Sequence, residues 1–159
     1  VLDATVCSNF ASSDSVEDLL AILARPITVP AVRTELERGR DQGYTFLDAI
    51  VDRIGNDVPV ITDDGNVDVE KDVRNRLDPG EAEAFTLARS RAATLATDDL
   101  AARRLAADHD VPVTGSIGIL AVGIERGVLG TETADEWIEI WRDQRGYYAP
   151  VDSIADVLD

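Results

Sequence analysis

Between residues 79 and 127 the chain switches repeatedly between two hydrophobic periods, and that alternation restricts its fold more than any other feature. "PGEAEAFTLARSRA" has helical spacing, "ATLAT" is a short β-prone run, "DLAARRLAADH" is helical, "VPVTG" is again β-prone, and "IGILAVGIERG" is helical. A strand followed by a helix and then another strand returns the chain in the same direction, so the units predict parallel pairing. Parallel sheets need helices on both faces. The start of the first helix is marked by Asp78 at the N-cap, Pro79 at the first helical position and Glu81 three residues after the cap, a capping box with aspartate in the cap.

The remainder of the chain continues the pattern. Residues 1–9 ("VLDATVCSN") form a β-branched, apolar run that predicts a first strand. "SSDSVEDLLAILA" predicts a helix with Ser13 or Ser15 as N-cap and an apolar stripe at Leu19, Leu20 and Leu23. "PITVP" predicts a short extended piece, and "AVRTELERG" a helix ending at Gly39. "TFLDAIVDRIG" has helical spacing up to Gly55, "VPVIT" predicts a strand, "DDGN" a turn, and "VDVEKDVRNRL" a charged helix. Near the end, "ADEWIEIWRDQRG" predicts a helix with Trp137, Ile138 and Trp141 on one side, and "VDSIADVL" a final short one. No repeat, low-complexity tract or linker divides the chain, so residues 1–159 are expected to form a single domain around one core.

Composition narrows the chemistry. No apolar run approaches the ~20 residues of a membrane span, and no basic segment followed by an apolar one opens the chain, so a cytoplasmic protein is expected. Acids outnumber bases 31 to 15 for a net charge of −16, and Lys71 is the only lysine. Such a surface repels polyanions in dilute buffer. It also matches a protein adapted to molar salt, where the screening length falls to ~3 Å and net charge ceases to decide partners. One cysteine, Cys7, and one histidine, His109, exclude a disulfide, an ordinary zinc site and a histidine acid–base pair. His109 precedes Asp110 at a helix end and reads as surface. Neither GxSxG nor GxxxxGK[ST] is present. "GSIG" at 115–118 reads as a tight turn into a helix.

In parallel α/β sheets ligands gather at the carboxyl ends of the strands, so acids at those ends merit attention. Asp3 interrupts the apolar first strand, where a bare carboxylate costs several kcal/mol. Asp98 and Asp99 end "TLAT", Glu81 opens its helix on the stripe of Phe85 and Ala88, and Glu35 lies between Val32 and Leu36. Each has an ordinary reading as a cap or a solvated charge. If they converge, mutual repulsion raises at least one pKa, and a hard divalent cation such as Mg²⁺ or Mn²⁺ relieves it. A cation so held binds a phosphate oxygen and activates water, which leads to phosphodiester hydrolysis.

The ordered segments "VLDAT", "VPAVRTEL", "LDPGEAEAFTLA", "LATDDLAARRLA" and "VTGSIGILAVGIERG" resemble PIN-domain proteins, in particular the compact prokaryotic and archaeal branch that includes VapC-like toxins. The resemblance covers nearly the whole chain, most strongly residues 77–127. It implies a three-layer α/β/α sandwich with a mostly parallel central sheet, and a Mg²⁺- or Mn²⁺-dependent ribonuclease. It further implies a cytoplasmic homodimer, with RNA as substrate and a small antitoxin protein as possible partner. By resemblance the catalytic acids fall on Asp3, Glu35, Glu81 and Asp99. Asp3, Glu81 and Asp99 are implied as metal ligands with Asp98 beside them, and Thr5, Thr97 and Ser116 as auxiliary hydroxyls. Glu81 is one methylene longer than the aspartate many relatives carry. Contacts to RNA would rest on arginine, with Arg103 and Arg104 the candidates.

Two alternatives belong to other classes. A catalytically silent PIN-fold interaction module would use Trp137, Trp141, Tyr147 and Tyr148 as anchors, although these residues also suit a core. A phosphoacceptor receiver domain shares the sheet and the acids but needs a lysine at the site, and Lys71 lies in the charged helix.

Overall fold

The computed structural model describes residues 1–62 and 70–158. The expected "DDGN" turn and the first residues of "VDVEKDVRNRL" lie outside them. The helices are α1 (Ala4–Ser12), α2 (Val16–Ile22), α3 (Pro30–Asp41), α4 (Asp48–Val51), α5 (Lys71–Arg76), α6 (Pro79–Arg91), α7 (Leu100–Asp108), α8 (Ser116–Glu125) and α9 (Thr131–Arg145), with 3₁₀ turns at Thr45–Leu47 and Ile154–Val157. The strands are β1 (Leu95–Ala96) and β2 (Val113–Thr114), paired in parallel.

Backbone hydrogen bonds extend this pair into a wider ribbon. Leu2 bridges Ala96 in parallel, and Thr28 bridges Val60 in parallel. The Leu2 amide donates to Ile27 O at 2.8 Å, which joins the two pairs. Across the ribbon the segments therefore run Val60, Thr28, Leu2, β1, β2. Numbered along the chain, that order is 3-2-1-4-5, and it reverses between the Leu2 segment and β1. A reversal of this kind opens a crevice at the carboxyl ends of the two central segments. Asp3 and Thr97 stand at those ends.

The first segment departs from expectation. The predicted strand over residues 1–9 stops at Asp3, and Ala4–Ser12 is helical, with the Asp3 side chain accepting from the Ala4 amide. The cause is burial on every side. Val6, Cys7, Phe10 and Ala11 are all buried, as are Ser8 and Asn9, and a short helix buried on nearly every side lacks the polar stripe that tells it from a buried strand. Asp3 is accordingly a cap at a strand end rather than a residue in mid-strand.

Elsewhere some local signals hold and others are corrected. The capping box closes as its residues predict: the Glu81 amide donates to Asp78 Oδ1 at 2.8 Å and the Asp78 amide to Glu81 Oε2 at 3.1 Å. α3 begins with Pro30, and its Ala31 amide donates to Glu83 Oε2 of α6, so one helix caps the other across their interface. The "TFLDAIVDRIG" stretch is a 3₁₀ turn followed by the single turn of α4. α9 starts earlier than "ADEWIEIWRDQRG", at Thr131. Ile138 and Trp141 are buried, with Trp137 partly so against the same core. The Trp141 indole donates to Ser13 Oγ at 3.0 Å, which satisfies its one donor. His109 is half-buried, edge-on to Phe85 with ring centroids 5.6 Å apart, rather than a free surface residue.

Candidate functional site

Asp3 is 1 % exposed, and everything around it is built to hold its carboxylate. Oδ1 accepts from the Ala4 amide at 2.8 Å. Oδ2 accepts from the Thr97 hydroxyl at 2.7 Å and the Thr5 hydroxyl at 3.2 Å. Each threonine is also an acceptor: Thr97 Oγ1 receives the Asp99 amide at 3.1 Å, and Thr5 Oγ1 the Asp98 amide at 3.0 Å. Two hydroxyls thus bridge one buried carboxylate to the backbone of the acid pair that ends β1. Among the described residues no arginine or lysine forms an ion pair with Asp3, Glu35, Glu81 or Asp99.

The electrostatics follow from that arrangement. Burial pushes the Asp3 carboxyl above its ordinary range, and the hydrogen bonds from Thr97, Ala4 and Thr5 pull it part of the way back. Burial also pushes Glu81 up to about 8, aided by the charges of Asp78, Asp99 and Asp3 and opposed by the Asp78 amide. Glu35 is pushed up to about 7 by burial and by Asp78 and Asp3, with Arg38 opposing. Acids far apart in sequence therefore lie close together: the charges of Asp3 and Asp99 bear on Glu81, and that of Asp3 on Glu35. Gly80 lets α3 and α6 approach here: a Cβ on it would stand 2.9 Å from Glu35 Oε2 and 3.6 Å from Asp78 Oδ1.

Asp98 and Asp99 divide their duties. Asp99 caps α7, its Oδ1 accepting from the Ala102 amide at 2.8 Å. Asp98 faces the start of α8 instead. Its Oδ1 accepts from the Ser116 amide at 2.8 Å, and its Oδ2 from Ser116 Oγ at 2.5 Å and Asn9 Nδ2 at 3.1 Å. The "GSIG" turn thus receives a protein carboxylate on its amide. Arg103 is drawn inward, donating to the Thr97 carbonyl at 3.1 Å, whereas Arg104 is exposed on α7.

Three participants were not among the expected site residues. Asn9 ties α1 to Asp98 and Ser116; its signal was a primary amide inside an apolar run, which burial obliges to find partners. Asp78 presses on both Glu35 and Glu81, a role concealed behind its capping duty. Arg145 lines both the cleft that Glu35 borders and the one that Asp98 and Asp99 border, and nothing in the local sequence distinguishes it.

As donors these groups are all carboxylate oxygens, and among the described residues Asp3, Glu35, Glu81 and Asp99 have no cationic partner, with Asp3, Glu35 and Glu81 raised in pKa first by burial and then by neighbouring carboxylates, a set whose chemistry fits a hard divalent cation. In their present positions, among the described residues, no three acidic, thiol or imidazole side chains close on one point tightly enough to hold a metal ion. A family model, DUF3368, whose description is PIN domain, matches residues 1–159. No curated protein and no solved structure matches the chain.

Proposed function

The chain belongs to the PIN-domain family, and from that premise we propose that it is a divalent-cation-dependent ribonuclease, the toxin of a toxin–antitoxin pair. The observation that carries this reading is the Asp3 carboxylate, buried, bridged by Thr97 to the Asp99 amide and by Thr5 to the Asp98 amide, and without a cationic partner among the described residues. Stability alone does not account for such a group, because a buried unpaired charge costs several kcal/mol.

In this reading Asp3, Glu81 and Asp99 hold Mg²⁺ or Mn²⁺, and Glu35 completes the set or orients water. The cation, when bound, neutralises phosphate charge and lowers the pKa of water beside it. Thr97 and Thr5 fix the Asp3 carboxylate, leaving it no freedom to rotate away. Glu35, pushed up to about 7, would take a proton from water on its carboxylate at neutral pH, where a general base works best. Asp98 positions rather than binds, since Ser116 and Asn9 occupy its oxygens.

The helices would cover both faces of the ribbon as a three-layer sandwich. The protein would act as a cytoplasmic homodimer, in cells whose high salt the lysine-poor acidic surface suits. No helix among the described residues is long and apolar enough to cross a membrane.

The test is Asp3→Asn, which keeps the side-chain cap on α1 while removing the charge. Mn²⁺-stimulated cleavage of RNA by the wild type, lost in a variant with an unchanged far-ultraviolet spectrum, is the expected result. Full activity in Asp3→Asn overturns the reading.

A further inference from the structure

Tyr44 and Tyr148 are the largely exposed aromatic side chains among the described residues, at 56 % and 87 %. Both stand at clefts that open from the carboxylates. One cleft, of about 460 Å³, is bounded by Glu35, Arg38, Gln42, Tyr44, Phe46 and Arg145. The other, of about 390 Å³, is bounded by Thr5, Asp98, Asp99, Leu100, Arg145 and Tyr148. Arg145 lines both, Glu35 lines the first and Asp98 and Asp99 the second, so one arginine is common to two clefts that each carry an acid of the site. That guanidinium lies 5.4 Å from the centre of the Phe46 ring, and Phe46 is edge-on to Tyr44 at 6.1 Å. The stack orients the arginine and braces the first tyrosine while the Tyr44 side chain stays largely exposed.

The charge of the whole molecule gives this arrangement its meaning. A chain of net charge −16 gains little from long-range attraction to a polyanion, so nucleic-acid contact must come from local cations and from a non-ionic term. Stacking of bases on aromatic rings is such a term, and it requires bases that are not already paired in a duplex. Two exposed tyrosines flanking one arginine supply both. The geometry points to Tyr44 and Tyr148 as stacking platforms for unpaired bases, one in each of the two clefts that the carboxylates line, with Arg145 holding the RNA backbone between them. This assignment rests on the ribonuclease reading and gives it a substrate form: an unpaired stretch of RNA that spans both clefts.

The test is binding rather than cleavage. The full chain is titrated into a fluorescently labelled, short single-stranded oligoribonucleotide in Ca²⁺, with gels confirming that the RNA stays intact, and anisotropy reports affinity. Tyr44→Ala and Tyr148→Ala should each weaken binding roughly five- to a hundredfold, while Tyr44→Phe and Tyr148→Phe should stay within about twofold of wild type, because stacking uses the ring and not the hydroxyl. The same sequence presented as a duplex should bind weakly and be indifferent to all four changes. Equal binding by the alanine variants, equal losses in the alanine and phenylalanine variants, or no binding by the wild type overturns the assignment. Cleavage measured in parallel with Mn²⁺ separates the two readings. Tyrosine-dependent binding without any cleavage removes the nuclease and keeps the platforms. Cleavage with tyrosine-independent binding does the reverse.

Discussion

The Thr97 hydroxyl donates to Oδ2 of Asp3 at 2.7 Å across a sequence separation of 94 residues. It joins the carboxyl ends of the two central segments at the point where the ribbon's order reverses. Thr97 Oγ1 in turn accepts the Asp99 amide, so one buried hydroxyl sets the relative position of two acids.

Thr97→Val tests that linkage with a side chain of nearly equal shape. The methyl that replaces Oγ1 leaves Asp3 Oδ2 with only the longer Thr5 bond and strands the Asp99 amide. Loss of a buried partner of a charged acceptor costs about 1–3 kcal/mol, to be read by urea denaturation. The Asp3 carboxyl should rise further in pKa, having lost the strongest bond to its charged form. On the ribonuclease reading, cleavage falls by more than the stability change implies.

Asp78→Asn separates capping from charge. Asparagine caps helices about as well as aspartate, so thermal stability should change little. The charge that Asp78 places beside Glu35 disappears, and the Glu35 pKa should fall from its raised value near 7 toward the ordinary 4.5. Carboxyl chemical shifts followed through a pH titration give the answer. A Glu35 pKa that does not move would show that burial and Asp3, and not Asp78, raise it.

What the sequence made legible was what is decided locally. The 79–91 helix announced itself through Asp78, Pro79 and Glu81, because a capping box is written in three neighbouring residues. The alternation of β-prone and helical stretches implied parallel pairing, and β1–β2 and the Leu2–Ala96 bridge have it. Residues 4–12 were misjudged because a helix buried on every face loses the polar side that reveals its period. Val6 and Phe10, four apart, were the remaining clue. The acids could be suspected one by one from their neighbours, but the press of Asp78 on Glu35 and the place of Arg145 between two clefts arise only when distant helices meet.

Metal-free stability should depend on pH in the opposite sense to most acidic side chains. Glu35 and Glu81 titrate near 7 and 8 in the folded chain, against 4.5 ordinarily. Between those values the folded protein holds more protons than the unfolded one, so stability falls as pH rises. The melting temperature in chelator should be higher near about pH 5 than near about pH 8.5, and level off above the folded values. Glu81→Gln should flatten the slope. Mn²⁺ binds the deprotonated carboxylates and should restore the melting temperature at the alkaline end by mass action. A melting temperature that rises from acid to alkaline pH in chelator would contradict the raised values.

Asp98 stands beside the proposed cation ligands, and its hydrogen bonds assign it a different task. Oδ1 takes the Ser116 amide; Oδ2 takes Ser116 Oγ and Asn9 Nδ2. In Asp98→Ala the Ser116 amide loses its side-chain acceptor and the Asn9 amide keeps only Ser116 Oγ, at about 1–3 kcal/mol for each buried donor left unsatisfied. The start of α8 also loses its neighbouring negative charge. In Asp98→Asn one oxygen survives to receive the Ser116 amide, while the new NH₂ opposes the Asn9 NH₂ unless Asn9 turns over, so its loss should be intermediate. Calorimetric titration with Mn²⁺ distinguishes anchor from ligand. Asp98→Asn should bind the cation nearly as wild type does, whereas Asp99→Asn, which removes charge from a residue bridged to Asp3, should bind far more weakly. Equal losses in the two would make Asp98 a ligand, and its bonds to Ser116 and Asn9 a feature of the cation-free state.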